Sequence, residues 1–148
     1  MIRRSTERYR RTLTLAQCEA SDWNHTYLGC EHLLMGLLRT ADSVAASALK
    51  TLNINESNAR AVFAAFLCAG NQTGTRRRLP RTRRVKITLK TYAVEEARKL
   101  HHGYIGTEHL LLALLRDEEN AAVKILESLG ATSDQVQDAV LAHVSPGK

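Results

Sequence analysis

The stretch that decides the fold is His102-Gly-Tyr-Ile-Gly-Thr-Glu-His-Leu-Leu-Leu-Ala-Leu-Leu-Arg116, because the chain contains it twice. Seventy-seven residues upstream stands His25-Thr-Tyr-Leu-Gly-Cys-Glu-His-Leu-Leu-Met-Gly-Leu-Leu-Arg39. Outward from there, Ala16, Glu19 and Ala20 fall on Ala93, Glu96 and Ala97. Downstream, Ala45, Leu49 and Leu52 fall on Ala122, Leu126 and Leu129. From Leu13 to Leu52, 17 of 40 positions are identical without a gap. The chain is therefore a tandem duplication.

Each copy reads as helices. Leu89, Ala93, Ala97 and Leu100 recur at helical spacing and predict a helix over Thr88 to Leu100. Gly103 and Gly106 bracket a turn. Thr107 stands at an N-cap position, with Glu108 in the first turn and Leu110, Leu111, Leu114 and Leu115 on one face. A third helix runs from Ala121 to Leu129 and is closed by Gly130. Thr132 and Gln135 form a capping box that opens a fourth helix, to about Val144. In the first copy the same plan places helices at Thr6–Asp22, Cys30–Arg39, Ser43–Leu52 and Asn55–Ala69. The expected fold is all-α: two pseudo-symmetric four-helix repeats, eight helices, packed as one domain because neither half has much core of its own. The expected division is 1–69 for the first repeat, 70–85 for a basic, mobile linker and 86–148 for the second repeat.

Composition agrees. The 148 residues are 44% hydrophobic and 24% charged, as expected of a soluble globular chain. The longest apolar run, Leu110 to Leu115, is far short of the ~20 residues of a membrane span. No export signal opens the chain, so the expected location is the cytoplasm. Cys18, Cys30 and Cys68 form no close pair and read as free thiols, not as a disulfide or zinc framework. The net charge of +6 resides in one segment, Arg76 to Lys86, which holds seven cations and no acid. That segment supports an alternative reading as a nucleic-acid contact. However, no aromatic residue is interleaved for base stacking.

Catalytic patterns are missing. There is no phosphate-binding Gly-x-x-x-x-Gly-Lys-Ser/Thr loop and no His-Glu-x-x-His zinc motif. His25 with His32, or His102 with His109, reads as helix-start packing and not as a metal site. No enzyme, no catalytic residue, no metal and no cofactor is expected. The duplicated Gly-(Cys/Thr)-Glu-His start says more. A helix N-terminus offers unpaired amides to an anion. Glu31 or Glu108 in the same first turn can accept a guanidinium through two charge-assisted hydrogen bonds. A phosphorylated arginine meets both demands. The plainer reading is that each Glu only complements the helix dipole.

Thr6-Glu7-Arg8, Leu15-Ala16-Gln17, Glu19-Ala20, Gly106-Thr-Glu-His-Leu-Leu111 and Arg116 resemble the Clp N-terminal repeat domain, found at the head of ClpC-type AAA+ unfoldases. The resemblance covers both repeats and leaves out the basic segment. It implies an all-helical double repeat that receives substrates and adaptors and, in ClpC-type members, binds phosphoarginine tags. It places ligand contacts at Thr6, Glu31 and Glu108, and makes phosphoarginine-tagged or adaptor proteins, and a ClpC-type unfoldase, the expected partners. The family usually carries Phe just before the opening Thr of each repeat, and some relatives bind cyclic peptide antibiotics on this domain. Here Ser5 and, by the ungapped register, Thr82 take those places, which speaks against that ligand. The same register sets Arg83 where the second Thr would stand, so Arg83 and Arg84 are candidate phosphate contacts. The sequence ends at Lys148 without an ATPase module, and the expectation is a stand-alone binding protein acting as decoy, adaptor or regulator. A purely protein–protein module is the remaining alternative.

Overall fold

The computed structural model describes residues 4–66 and 79–144. In the first repeat, strand β1 (Arg4–Ser5) leads into α1 (Glu7–Asp22), α2 (Cys30–Arg39), α3 (Val44–Thr51) and α4 (Glu56–Phe66). In the second, α5 (Arg83–Ile87), a π turn (Thr88–Tyr92) and α6 (Ala93–Lys99) follow one another without a break. Then come β2 (Tyr104–Ile105), α7 (Thr107–Leu114), α8 (Ala121–Ser128) and α9 (Ser133–Ala142). With α5, the π turn and α6 counted as one rod, the described residues hold eight helices, four in each repeat.

Local chemistry sets the boundaries. Thr6, Ser43, Thr82, Asn120 and Thr132 each accept, through the side-chain oxygen, the amide three residues on, as N-caps do. Thr132 and Gln135 make the capping box read from the sequence. Gly130, at φ +89°, supplies the left-handed residue after α8. Asn24 and His101 occupy matching left-handed positions after α1 and α6, at φ 58° and 57°.

The core is shared by both halves. In α2 every residue from Cys30 to Leu38 is buried, and in α7 every residue is. A helix that is wrapped on all sides must be apolar all round, which explains the unbroken leucine runs. α8 packs against α2 and α4, and α3 packs against α7 and α9, so each repeat completes the other's interior. At Gly36 a Cβ would lie 2.6 Å from the Thr12 carbonyl oxygen, so the glycine permits the close approach of α1 to α2.

The repeats also exchange strands. β1 pairs in parallel with β2, with Ser5 opposite Ile105, and the Thr6 amide donates to Ile105 O at 2.9 Å. In the mirror arrangement Leu28 bridges to Arg81, and the Thr82 amide donates to Leu28 O at 3.0 Å.

Three expectations are corrected. The second repeat's first helix begins at Arg83, not Thr88, because Thr82 caps it. Of the segment read as a mobile linker, the described residues from Leu79 onward are tied down. Gln17 holds Leu79 through both its amide nitrogen and its carbonyl oxygen, at 3.2 and 2.8 Å, and Arg81 lies in the bridge to Leu28. Thr107 is not an N-cap: Gly106 caps α7, and the Thr107 hydroxyl instead faces α3, where it meets the Ala45 amide at 3.5 Å. The expected end of the fourth helix at Ala69, the cysteine Cys68 and Arg76 to Arg78 lie outside the described residues. Cys18 and Cys30 are free thiols. Among the described residues no helix is long and apolar enough to cross a membrane.

Candidate functional site

The two Glu-His starts fold identically. Glu31 is the second residue of α2 and Glu108 the second of α7, each only 7% exposed. Each carboxylate folds back over the capping glycine. A Cβ on Gly29 would collide with Glu31 Oε1, and one on Gly106 with Glu108 Oε1. The other oxygen is held by a tyrosine: Tyr27 Oη donates to Glu31 Oε2 at 3.1 Å and Tyr104 Oη to Glu108 Oε2 at 3.3 Å. Burial first, and then the Glu31 charge, push the Tyr27 phenol up to about 12, so it remains a donor at neutral pH. Tyr104 is raised by the same causes. In each repeat the carboxylate is therefore fixed by one oxygen, and among the described residues the other accepts no hydrogen bond.

Behind each carboxylate runs a histidine relay. The Gly29 amide donates to His32 Nδ1 at 2.9 Å, which leaves Nε2 as the protonated nitrogen of a neutral ring. That nitrogen lies 2.7 Å from His25 Nδ1 and donates to it. The Gly106 amide, His109 and His102 repeat the chain at 2.8 and 2.7 Å. Burial and the neighbouring ring hold His32 down at about 3 and His109 at about 4, consistent with neutral relays. His102, Glu108 and His109 bring ligand atoms within 4.8 Å of one another, near enough for a shared ion. In this arrangement, however, the one lone pair of His109 already accepts the Gly106 amide and its other nitrogen carries the proton. In this tautomer the His109 ring serves the glycine cap.

Beside Glu31 opens a cavity of about 430 Å³ that belongs to both repeats. Glu31 and Cys30 line it from the first repeat; Thr82, Arg83, Arg84, Glu119 and Asn120 line it from the second. Arg84 and Arg83 are both exposed, and Arg84 Nη1 is 2.6 Å from Asp117 Oδ2. Burial pushes the Cys30 thiol up to about 12, so at neutral pH it stays protonated, a small apolar lining group and not a nucleophile.

Of the residues singled out from the sequence, Glu31, Arg83 and Arg84 come together in this cavity. Thr6 does not join them. Through the β1–β2 pairing it sits beside the start of α7, on the side of Glu108. The residue that sequence reasoning passed over is Thr82. Both Thr6 and Thr82 donate their amide across to the other repeat and cap the helix that follows. The structural register therefore sets Thr82 opposite Thr6, Arg83 opposite Glu7 and Arg81 opposite Ser5, one residue away from the ungapped alignment. Its signal in the sequence was a Thr three residues before buried Val85, an N-cap hidden among arginines.

An all-helical double repeat with two buried carboxylates at matched helix starts defines the class as a binding module. Residues 4–92 and 81–148 each match the Clp repeat (R) N-terminal domain, and the chain belongs to that family. It is 40% identical over 144 residues to the chloroplastic chaperone protein ClpC2 of Oryza sativa subsp. japonica, covering 97% of this chain and 16% of the relative. To the negative regulator of genetic competence ClpC/MecB of Bacillus subtilis it is 37% identical over 142 residues, covering 95% and 17%. The chain thus spans about a sixth of the length of these relatives. Among solved structures, the N-terminal domain of the caseinolytic protease associated chaperone ClpD from Arabidopsis thaliana superposes with a TM-score of 0.78. That match is 23% identical and covers 94% of this chain and 93% of that one. The N-terminal domain of Hsp104 from Candida albicans gives 0.77 at 17% identity, with 94% and 90% covered. Both confirm the fold.

Proposed function

We propose that this chain is a non-enzymatic substrate- and adaptor-binding module of a Clp protease system that recognises phosphoarginine-tagged proteins in the cytoplasm. One observation carries this reading: a buried, half-free carboxylate, Glu31, and two guanidinium groups, Arg83 and Arg84, line one cavity. Phosphoarginine carries a guanidinium and a phosphate side by side. The free Glu31 oxygen accepts from the guanidinium, and the arginines with the Thr82 hydroxyl face the phosphate. Around Glu108 and Thr6 the second repeat offers the same carboxylate and a matching threonine. The proposed partners are tagged proteins or adaptors and a ClpC-type unfoldase.

Calorimetric titration with free phosphoarginine, with unmodified arginine as control, tests the reading. Saturable binding selective for phosphoarginine is expected, lost in the Glu31→Ala/Glu108→Ala double variant. Unchanged affinity in that variant overturns the site assignment. If phosphoarginine fails to bind at all, the surface serves protein partners without a phosphate.

A further inference from the structure

The duplicated plan breaks on one flank of the molecule. In the first repeat the Glu19 carboxylate of α1 takes the Arg60 guanidinium of α4 as a fork. Arg60 Nη2 donates to Oε1 at 2.7 Å and Nη1 to Oε2 at 3.1 Å. Glu56 accepts from the same guanidinium at 2.9 Å, and Arg39 adds a bond to Glu19 at 3.2 Å. Seventy-seven residues on, Glu96 is retained and buried, but Gln137 stands for Arg60 and Ser133 for Glu56. Arg116, the counterpart of Arg39, is drawn aside. It lies 4.5 Å over the Tyr92 ring and binds Glu95 at 2.6 Å, where the first repeat has Leu15 and Cys18. It reaches Glu96 Oε2 only at 3.5 Å, and exposed Lys99 meets the same oxygen at 3.3 Å. Among the described residues Glu96 Oε1 accepts no hydrogen bond. Where the first repeat holds a guanidinium, the second has a cavity of about 230 Å³, lined by Glu96, Ser133, Gln137, Leu112 and Leu115 among others.

We propose that this cavity, at the other end of α7 from Glu108, is a further binding site that takes an unmodified arginine side chain of a bound protein. The guanidinium stands on Glu96 as Arg60 stands on Glu19, and its methylenes lie along the two leucines. Lys99 gives way readily, because an ion pair so open to water is worth little. The occupant is a chain and not a free guanidine compound, because the acidic surface continues. A neighbouring cavity of about 180 Å³ shares Glu118, Ser133 and Asp134 and runs on to Glu127. Four acids line the two cavities, Glu96, Glu118, Glu127 and Asp134, against Lys99 and Arg116, which are already bound to Glu96 and Glu95. Glu118, Glu127 and Asp134 form no ion pair among the described residues, so a second cation of the same segment is drawn there. Those acids repel the phosphate of a phosphoarginine, and the site is independent of phosphoarginine recognition.

Backbone amide resonances are followed by NMR while N-acetyl-arginine amide is added, with the uncharged citrulline derivative as control. Blocked ends are used because the carboxylate of free arginine faces the acids of the groove. The arginine derivative is expected to move Glu96, Leu112–Arg116 and Ser133–Gln137 saturably, and citrulline is expected to leave them in place. An N-acetyl-Arg-Ala-Arg amide is expected to bind at least tenfold tighter and to move Glu127 as well. Gln137→Arg, at an exposed position, supplies the second repeat with its own guanidinium and weakens both ligands at least tenfold, whereas Gln137→Ala binds like the parent. Equal shifts with citrulline, no saturable shift with the arginine derivative, or parent-like binding by Gln137→Arg overturns the site. Equal affinity for the one- and two-arginine ligands overturns the protein-borne occupant. Phosphoarginine that fails to bind at all overturns the proposed function and leaves this site standing.

Discussion

Thr6 and Thr82 cap the opening helices of their repeats in the same manner, yet they stand 76 positions apart while Glu31 and Glu108 stand 77 apart. The surplus residue is absorbed by the π turn at Thr88–Tyr92, which α1 lacks. A π turn is how a helix takes in one residue without changing direction, and such turns often lie near functional sites. Here it lets the chain keep a threonine cap and a bridge to Leu28 although the duplicated register has slipped.

Deleting Lys90 removes the surplus residue. The rod then closes as a plain α-helix like α1, with Arg83–Ile87 and Ala93–Lys99 both in their seats. The expected result is helical content close to that of the parent, slow hydrogen exchange at the Thr82 amide and parent-like phosphoarginine binding. Rapid exchange at Thr82 with loss of binding shows that the turn does more than take up a residue.

Gly29→Ala separates binding from folding. At φ −109° any residue is tolerated, and the atoms in the way are the Glu31 carboxylate and, at 3.0 Å, Tyr27 Cε2. Stability is expected to fall by about 1 kcal/mol as the Tyr27–Glu31 bond is lost, while the displaced carboxylate lowers affinity at least tenfold. Urea unfolding and calorimetry on the same preparation check both.

Much of this was legible beforehand, and for a physical reason. Duplication exposes the framework, since residues that repeat at a fixed interval are those the packing demands: Leu33, Leu34, Leu37 and Leu38, all buried, return as Leu110, Leu111, Leu114 and Leu115. Caps such as Thr132 with Gln135 declare themselves because their chemistry is local. The start of the second repeat was not legible. Its threonine and bridge are set by a carbonyl of the other repeat, Leu28 O, which no local pattern announces. An ungapped alignment also has no means of showing a π turn. Glu31 and Glu108 were visible as residues, but that Arg83 and Arg84 reach one of them and not the other follows only from the strand exchange.

Acid is expected to weaken the fold through the histidine relays. His32 and His109 have an ordinary value of 6.5, and folding lowers them to about 3 and about 4. Between those limits the unfolded chain binds protons that the folded chain refuses. Stability is therefore full above about pH 7, falls as pH drops through 6.5, and levels off only where the folded rings protonate. Urea midpoints measured from pH 7.5 to 4.5 are expected to fall less steeply in a His32→Gln/His109→Gln variant than in the parent. Parallel curves remove the relays from the acid response.

Glu19 offers a test of the first repeat alone. Its carboxylate is 2% exposed and is gripped by Arg60 at 2.7 Å and Arg39 at 3.2 Å. Glu19→Ala removes a buried carboxylate from two half-exposed guanidinium groups, of which Arg60 keeps Glu56, at a cost of about 1–2 kcal/mol. Arg39→Ala leaves Arg60 in place and is expected to cost clearly less. Thermal unfolding orders the three proteins, and equal melting temperatures for Glu19→Ala and the parent refute the account.

The exchanged strands have a consequence for ancestry. Ser5 pairs with Ile105 and Leu28 with Arg81, so each half lends its leading edge to the other. A lone copy has no partner for that edge except a second copy, and two would meet about a twofold axis through these same reciprocal bridges. Fusion turned that encounter into an intramolecular one, at an effective concentration no dilution can lower. Fusion also freed the two halves of the symmetric pair to diverge, as at Arg83 opposite Glu7 and Cys30 opposite Thr107.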